Sequence, residues 1–196
     1  MSNQPIAVIA AMSREFSGLL AHATSVEAVR TQAAYACRVS IAGRAWLLVA
    51  DGPGPKRAAA AAAVALGLGK PAAMVSTGYC GGLDPALKAG DIFQADTVIG
   101  EGDERWSTCR AEADCAAAES GALLSRDRVV VTAEEKQALY SALGARAVEM
   151  EASAVARSAG DAGIRFYCIR VVSDSAHDTR SEERRVGEQC RSRWSA

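Results

Sequence analysis

The sequence predicts an α/β fold, a three-layer αβα sandwich around a central mixed β-sheet. Three observations carry this. Short apolar runs alternate with Ala-rich stretches of helical length. Several of those runs end in small or acidic residues, the place where open α/β sheets bind ligands. The 196 residues suffice for one α/β domain with a sizeable core and are too few for two full ones.

Residues 6–10, IAVIA, read as a short buried strand. Ser13 then stands where it would cap a helix running to about Ala21, with Glu15 in the first turn. The helix macrodipole alone would explain an acid there. Equally, Glu15 is a carboxylate at the C-terminal edge of the first strand. Residues 35–41 and 45–50 flank Ala42-Gly43-Arg44 as a hairpin. Asp51-Gly52-Pro53-Gly54-Pro55-Lys56-Arg57 follows and opens a helix over 58–68. A Gly-rich turn before a helix N-terminus presents N–H groups to an anion, which makes Gly52, Gly54 and Arg57 candidates for anion binding. A tight turn that lets an Ala-rich helix pack closely explains the same glycines. It is not a dinucleotide fingerprint, which needs Gly or Ala where Arg57 stands and belongs after the first strand.

Residues 72–77 form the next buried strand and run into Gly78-Tyr79-Cys80-Gly81-Gly82-Leu83. Glycines at this spacing let backbone approach a ligand, or simply turn. A surface turn over 84–91 leads to a strand at 92–98. Residues 100–121 are polar, with Trp106 and an Ala-rich middle, and read as a loop with a partial helix. Residues 122–125 and 129–131 are extended. Thr132-Ala133-Glu134-Glu135 is a capping box for a helix to Ala142, stopped by Gly144, with a strand at 145–148. Glu149 and Glu151 then flank Met150 at the junction of that strand and a small-residue helix over 152–162. Two residues apart, they share a face if the chain is extended and diverge if it is already turning. Acids in a first helical turn are again the plainer explanation. The last strand, 164–172, is apolar apart from Arg165 and Arg170, and delivers Ser173 and Asp174. Glu15, the glycines at 78–82, Glu149, Glu151, Ser173 and Asp174 thus all fall at strand ends, and their convergence on one sheet edge is the case for an active site.

Composition narrows the function classes. Lys plus Arg total 22 and Asp plus Glu 23, a net charge of −1, so there is no general electrostatic case for nucleic acid or an anionic membrane. No apolar run approaches membrane-spanning length. The start, MSNQPIAVIAAM, lacks the basic n-region of a secretory signal, and a cytoplasmic location is expected. Cys37, Cys80, Cys109, Cys115, Cys168 and Cys190 are scattered, with no CxxC pair and no His at ligand spacing. Reduced thiols, no metal site and no cofactor are expected.

Residues 180–196 break the pattern. They lose apolar periodicity and hold five Arg and three Glu. RSEERRVG followed by CRSRWS resembles the translation of a short-read sequencing adapter, so the native domain is expected over 1–179, with a non-native tail at 180–196. A native product would then continue past about Asp178. The C-terminal helix of the sandwich is expected to be missing, leaving apolar surface exposed.

Taken together, AAMSREF at 10–16, GPG at 52–54, STGYCGGLDPALKAGDIF at 76–93, LLSRDRVV at 123–130, AVEMEASAVA at 147–156 and RVVSD at 170–174 resemble the nucleoside phosphorylase and nucleosidase superfamily. Within it the motifs resemble those of the 5'-methylthioadenosine/S-adenosylhomocysteine nucleosidases and the hopanoid-associated phosphorylase-like proteins. The resemblance spans about Ile6 to Asp174. It implies cleavage of a purine nucleoside at its N-glycosidic bond, in a homo-oligomer. By resemblance, Asp174 protonates or hydrogen-bonds N7 of the base, supported by Ser173 and Arg170. Glu15 positions or activates the attacking water. Glu151 holds the ribose hydroxyls, Met150 lies under the sugar, and Val129 and Val130 meet the base. Glu149, Gly78 and Tyr79 are grouped with them as substrate-binding.

The chemistry suits those roles, since departure leaves an anionic base and a cationic sugar. An acid at N7 neutralises the first, so Asp174 must carry a proton when it acts. A carboxylate by the sugar stabilises the second. Many relatives stack an aromatic residue on the purine where this chain has Val129, and several have a small residue where Tyr79 stands. No arginine matches the phosphate set of the trimeric or hexameric phosphorylases. AMxxE therefore favours water over phosphate as the nucleophile. A phosphorylase, a hopanoid-pathway enzyme releasing adenine from an adenosylated lipid, and an inactive nucleoside-binding remnant are the alternatives.

Overall fold

The first strand explains the layering. In a computed structural model, which describes residues 4–110 and 118–179, β1 (Ile6–Ala10) lies between parallel neighbours β4 (Arg44–Ala50) and β5 (Ala73–Gly82). Its side chains alternate between two cores. Ala7 and Ile9 join one, Val8 and Ala10 the other, as a strand buried on both faces requires. On the first face, α2 (Pro55–Gly67) packs against α4 (Ala152–Asp161). Ala58, Ala61, Ala62 and Ala65 make a helical stripe of side chains so small that this helix seats close to the sheet. On the opposite face lie the short α1 (Ser17–Leu20), beside Phe16, and α3 (Ala133–Leu143), whose Leu139, Tyr140 and Leu143 pack on Leu124 and Val148. The three-layer arrangement with a mixed central sheet is therefore realised.

The remaining strands are β2 (Ser25–Ala28), β3 (Tyr35–Ile41), β6 (Ile92–Ile99), β7 (Arg105–Ser107), β8 (Glu119–Ser125), β9 (Ala147–Glu149) and β10 (Arg165–Asp174). The sheet order is β10-β6-β8-β9-β5-β1-β4-β3-β2, with β7 on β6. β10 also pairs in parallel with β5 and antiparallel with β6, so the sheet curls back on itself. That curl brings the ends of β5, β9 and β10 together, where Gly81 pairs with Val148 on one side and Asp174 on the other.

Several local expectations need correction. Ser13 caps nothing. Ser13–Phe16 is a 3-10 turn with Met12 at its N-cap position, where the Glu15 N–H donates to the Met12 carbonyl and the Glu15 carboxylate accepts the N–H groups of Ala11 and Met12. The glycines at 78–82 do not turn; they continue β5 in register with β10 and β9. Residues 129–131 form no strand, although Val130 is buried. β2 and β7 were invisible to periodicity, β2 because all four residues are exposed. Within 100–121, Glu101–Asp103 is a 3-10 turn and β8 already begins at Glu119. Any partial helix at 111–117, and the tail at 180–196, lie outside the described residues. Thr132 does cap α3, its side chain accepting from the N–H of Glu135, and Gly144 closes the helix at φ 64°. Ile92, Val171 and Tyr79 stand side by side across β6, β10 and β5, each exposed. No helix among the described residues is long and apolar enough to cross a membrane.

Candidate active site

Alternation along β10 puts Arg170 inward, at 1 % exposure. Its Nη2 donates to Glu149 Oε2 and to Ser76 Oγ, both at 2.6 Å, and Nη1 donates to the Thr77 carbonyl at 2.7 Å. Burial works most strongly against the guanidinium charge, but Glu149, Cys168 and Glu151 together outweigh it and raise the Arg170 pKa above its usual value. The Glu149 carboxylate also accepts the N–H of Glu151 at 2.8 Å and of Ala152 at 2.9–3.0 Å, satisfying the start of α4. Glu149 is thus held from two sides by the protein.

Glu151 diverges from it because the chain has turned, with φ −125° and ψ −35° at this residue. Its Oε1 accepts the Gly54 N–H at 2.8 Å across 97 residues. Burial first, and then the neighbouring Glu149 charge, push its carboxyl up to about 7. This contact changes the reading of the 52–57 turn. The Gly54 N–H serves Glu151, the Gly52 N–H donates to the Ala11 carbonyl, and exposed Arg57 pairs with Asp51 at 3.3 Å. The N–H groups of Gly52 and Gly54 are thus both taken up within the protein, and the turn holds the Glu151 carboxylate.

Glu15 Oε2 accepts the N–H groups of Ala11 at 2.9 Å and Met12 at 3.1 Å. Burial raises its carboxyl in spite of these bonds and of Arg170, the direction that makes a carboxylate a better base near neutral pH. Gly78 sits between the two groups. A Cβ there would lie 3.0 Å from Arg170 Nη1 and 3.2 Å from Glu15 Oε2, at a φ of +134° that side chains rarely adopt. Tyr79, next along, is exposed.

A register shift between Val172 and Asp174 re-aims the end of β10. Gly81 leaves room for the result, since a Cβ there would stand 3.1 Å from Asp174 Oδ2. Ser173 Oγ lies 2.6 Å from Asp174 Oδ1 and 3.0 Å from the Cys80 carbonyl. The sequence reading missed the other partner. Lys136 of α3, fully buried, donates to Asp174 Oδ2 at 2.6 Å. One signal was available: Lys136 heads the helical row Lys136, Leu139, Tyr140, Leu143, a lysine on an otherwise apolar stripe.

One concavity is lined by Asp174, Glu149, Met150, Val129, Val130 and Arg128, with Gly81 and Val148. Ser173 and Arg170 support it from behind. Glu15 and Gly78 join through Arg170, and Glu151 through α4. Among the described residues, no group of three or more His, Cys, Asp or Glu side chains is placed to hold a metal ion.

A family model described as the phosphorylase superfamily matches residues 5–110 and 101–193. No curated protein matches the sequence. Among solved structures, 5'-methylthioadenosine/S-adenosylhomocysteine nucleosidase from Neisseria meningitidis, in complex with methylthio-immucillin-A, is similar at 27 % identity and TM-score 0.80, over 89 % of this chain and 87 % of that one. S-adenosylhomocysteine nucleosidase from Streptococcus pyogenes, in complex with 5-methylthiotubericidin, gives 23 %, 0.80, 90 % and 86 %. A futalosine hydrolase mutant from Helicobacter pylori gives 20 %, 0.78, 89 % and 87 %. The last two, at their identities, speak to the fold alone.

Proposed function

The chain belongs to the phosphorylase superfamily, and from that premise we propose that it hydrolyses the N-glycosidic bond of a purine nucleoside related to 5'-methylthioadenosine or S-adenosylhomocysteine, releasing adenine. One observation carries the reading. Asp174, Glu149 and Met150 line one concavity, while Glu15 and Glu151 are tied to its frame through Arg170 and α4. The similarity to the Neisseria nucleosidase supports the substrate class.

In this reading the base lies against Val129 and Val130 with N7 toward Asp174, and the sugar rests on Met150. As the C1'–N9 bond lengthens, the sugar gains positive charge, and a fixed carboxylate beside it lowers the barrier. Glu151 supplies that carboxylate and binds the hydroxyls, and it does so best when ionised, above about pH 7. Glu15 takes the proton of the attacking water. Two acids with different surroundings thus do opposite work.

Water is favoured over phosphate by a specific contact, the Gly54 N–H to Glu151 bond that occupies the turn otherwise suited to an anion. Turnover in heavy-oxygen water tests this. Label on the sugar C1' oxygen is expected with phosphate present or absent. A sugar 1-phosphate formed only with phosphate would instead assign phosphorolysis.

A further inference from the structure

We infer that Lys136 is a positioning residue for the acid step, holding the proton that Asp174 passes to the departing base. Lys136 Nζ donates to Asp174 Oδ2 at 2.6 Å, to the Ser175 carbonyl at 2.7 Å and to the Asp178 carbonyl at 3.0 Å. Three acceptors around one fully buried nitrogen match the three donors of an ammonium. A neutral amine keeps all three contacts only when the Asp174 carboxyl carries the proton and donates to Nζ, so in either form the two groups share one proton. A buried lysine with no role but pairing is an expensive feature, since desolvation opposes both charges.

The acid is therefore one half of a proton-sharing pair with Lys136, not the lone carboxyl that the resemblance implies. Ser173 makes both charge states workable. Its one hydroxyl hydrogen faces Oδ1 when Asp174 is ionised. It stays there when Oδ2 carries the proton shared with Lys136, with the Cys80 carbonyl as its other acceptor at 3.0 Å. Among the described residues, few titratable groups face this pair. Glu149 and Arg128 stand across the concavity, and Arg128 is paired with Glu135. The Asp178 carboxylate is held by the N–H and hydroxyl of Ser175. Burial pushes the Cys80 thiol up to about 12, so it stays neutral.

The step balances. As C1'–N9 breaks, its electron pair goes to the base. The one proton shared by Lys136 and Asp174 passes from Asp174 Oδ2 to N7, leaving a neutral base, an ionised Asp174 and a neutral Lys136. Water gives its oxygen to C1' and one proton to Glu15. That proton returns through solvent to Lys136, so the sum is nucleoside plus water to sugar plus base.

The inference rests on the nucleosidase reading, and the test separates the two. Wild type, Lys136→Met and Lys136→Arg are compared on 5'-methylthioadenosine and on p-nitrophenyl riboside, whose phenolate leaves without a proton. Lys136→Met is expected to lose roughly 10²-fold in adenine release at the alkaline end of the profile, the scale of general acid help. The loss should narrow as pH falls and solvent supplies the proton. Nitrophenol release should be unchanged at every pH, which also reports an intact fold. Lys136→Arg keeps the cation but does not give up a proton, and should follow Lys136→Met. Equal losses on both substrates, a Lys136→Met profile parallel to wild type, or full adenine release by Lys136→Arg would each overturn the inference alone. Wild type without base release from any purine nucleoside would overturn the nucleosidase reading beneath it.

Discussion

Arg170 and Glu149 meet at 2.6 Å with both side chains 1 % exposed, and the candidate site is built around this contact. It joins β10 to the β9–α4 junction, so the carboxylates at the two strand ends share one frame.

Breaking the pair from one side leaves a buried charge without a partner. Arg170→Met is therefore expected to lower stability by about 3–5 kcal/mol, read as a lower urea midpoint with an unchanged slope. A loss under about 1 kcal/mol would mean that solvent reaches Glu149 and that the frame is not dry.

Glu151 gives a pH-dependent prediction. Its carboxyl lies near 4.5 unfolded and about 7 folded. Between those values the folded state holds a proton that the unfolded chain has lost, so stability falls as pH rises through the window. Above about 7 the full penalty of burying the charge is present. Glu151→Gln keeps an oxygen for the Gly54 N–H and removes the charge, so it should be more stable than wild type by on the order of 1–3 kcal/mol at about pH 8 and no more stable near pH 4. The same variant should weaken ribose-containing ligands far more than free adenine. Thermal melts at the two pH values and calorimetric titration check both halves. Equal losses for nucleoside and base would remove Glu151 from the sugar.

Asp174 and Gly81 form a third test. Asp174→Asn is expected to lose ~10²–10⁴ in kcat while melting cooperatively. Gly81→Ala adds a Cβ 3.1 Å from Asp174 Oδ2 at a backbone conformation open to any residue. It should therefore reduce kcat for base release with little change in Tm. Wild-type rates in both variants would take Asp174 out of the mechanism.

Much of this arrangement was legible in the chain. β1, the 35–50 hairpin and α2 to α4 follow from alternation, the Ala stripes and the Thr132 cap. Asp174 and the Glu149–Glu151 pair were found because each ends a strand. Local pattern did not separate the two glutamates, because that depends on the turn at Glu151 and on Gly54, 97 residues earlier. It also misread the glycines at 78–82. Their role is to make room for Arg170 and Asp174 from a strand far along the chain, and a glycine run looks the same in a turn. Lys136 lies 38 residues from its partner, and a lysine in a helix reads as a solvated residue until its neighbours are known.

Adenine release from 5'-methylthioadenosine by the wild-type chain in phosphate-free buffer tests the central claim most directly. Release at a rate that added phosphate does not change is the result this account predicts. No release without phosphate, with turnover restored by adding it, would contradict the hydrolytic mechanism assigned to Glu15 and Asp174.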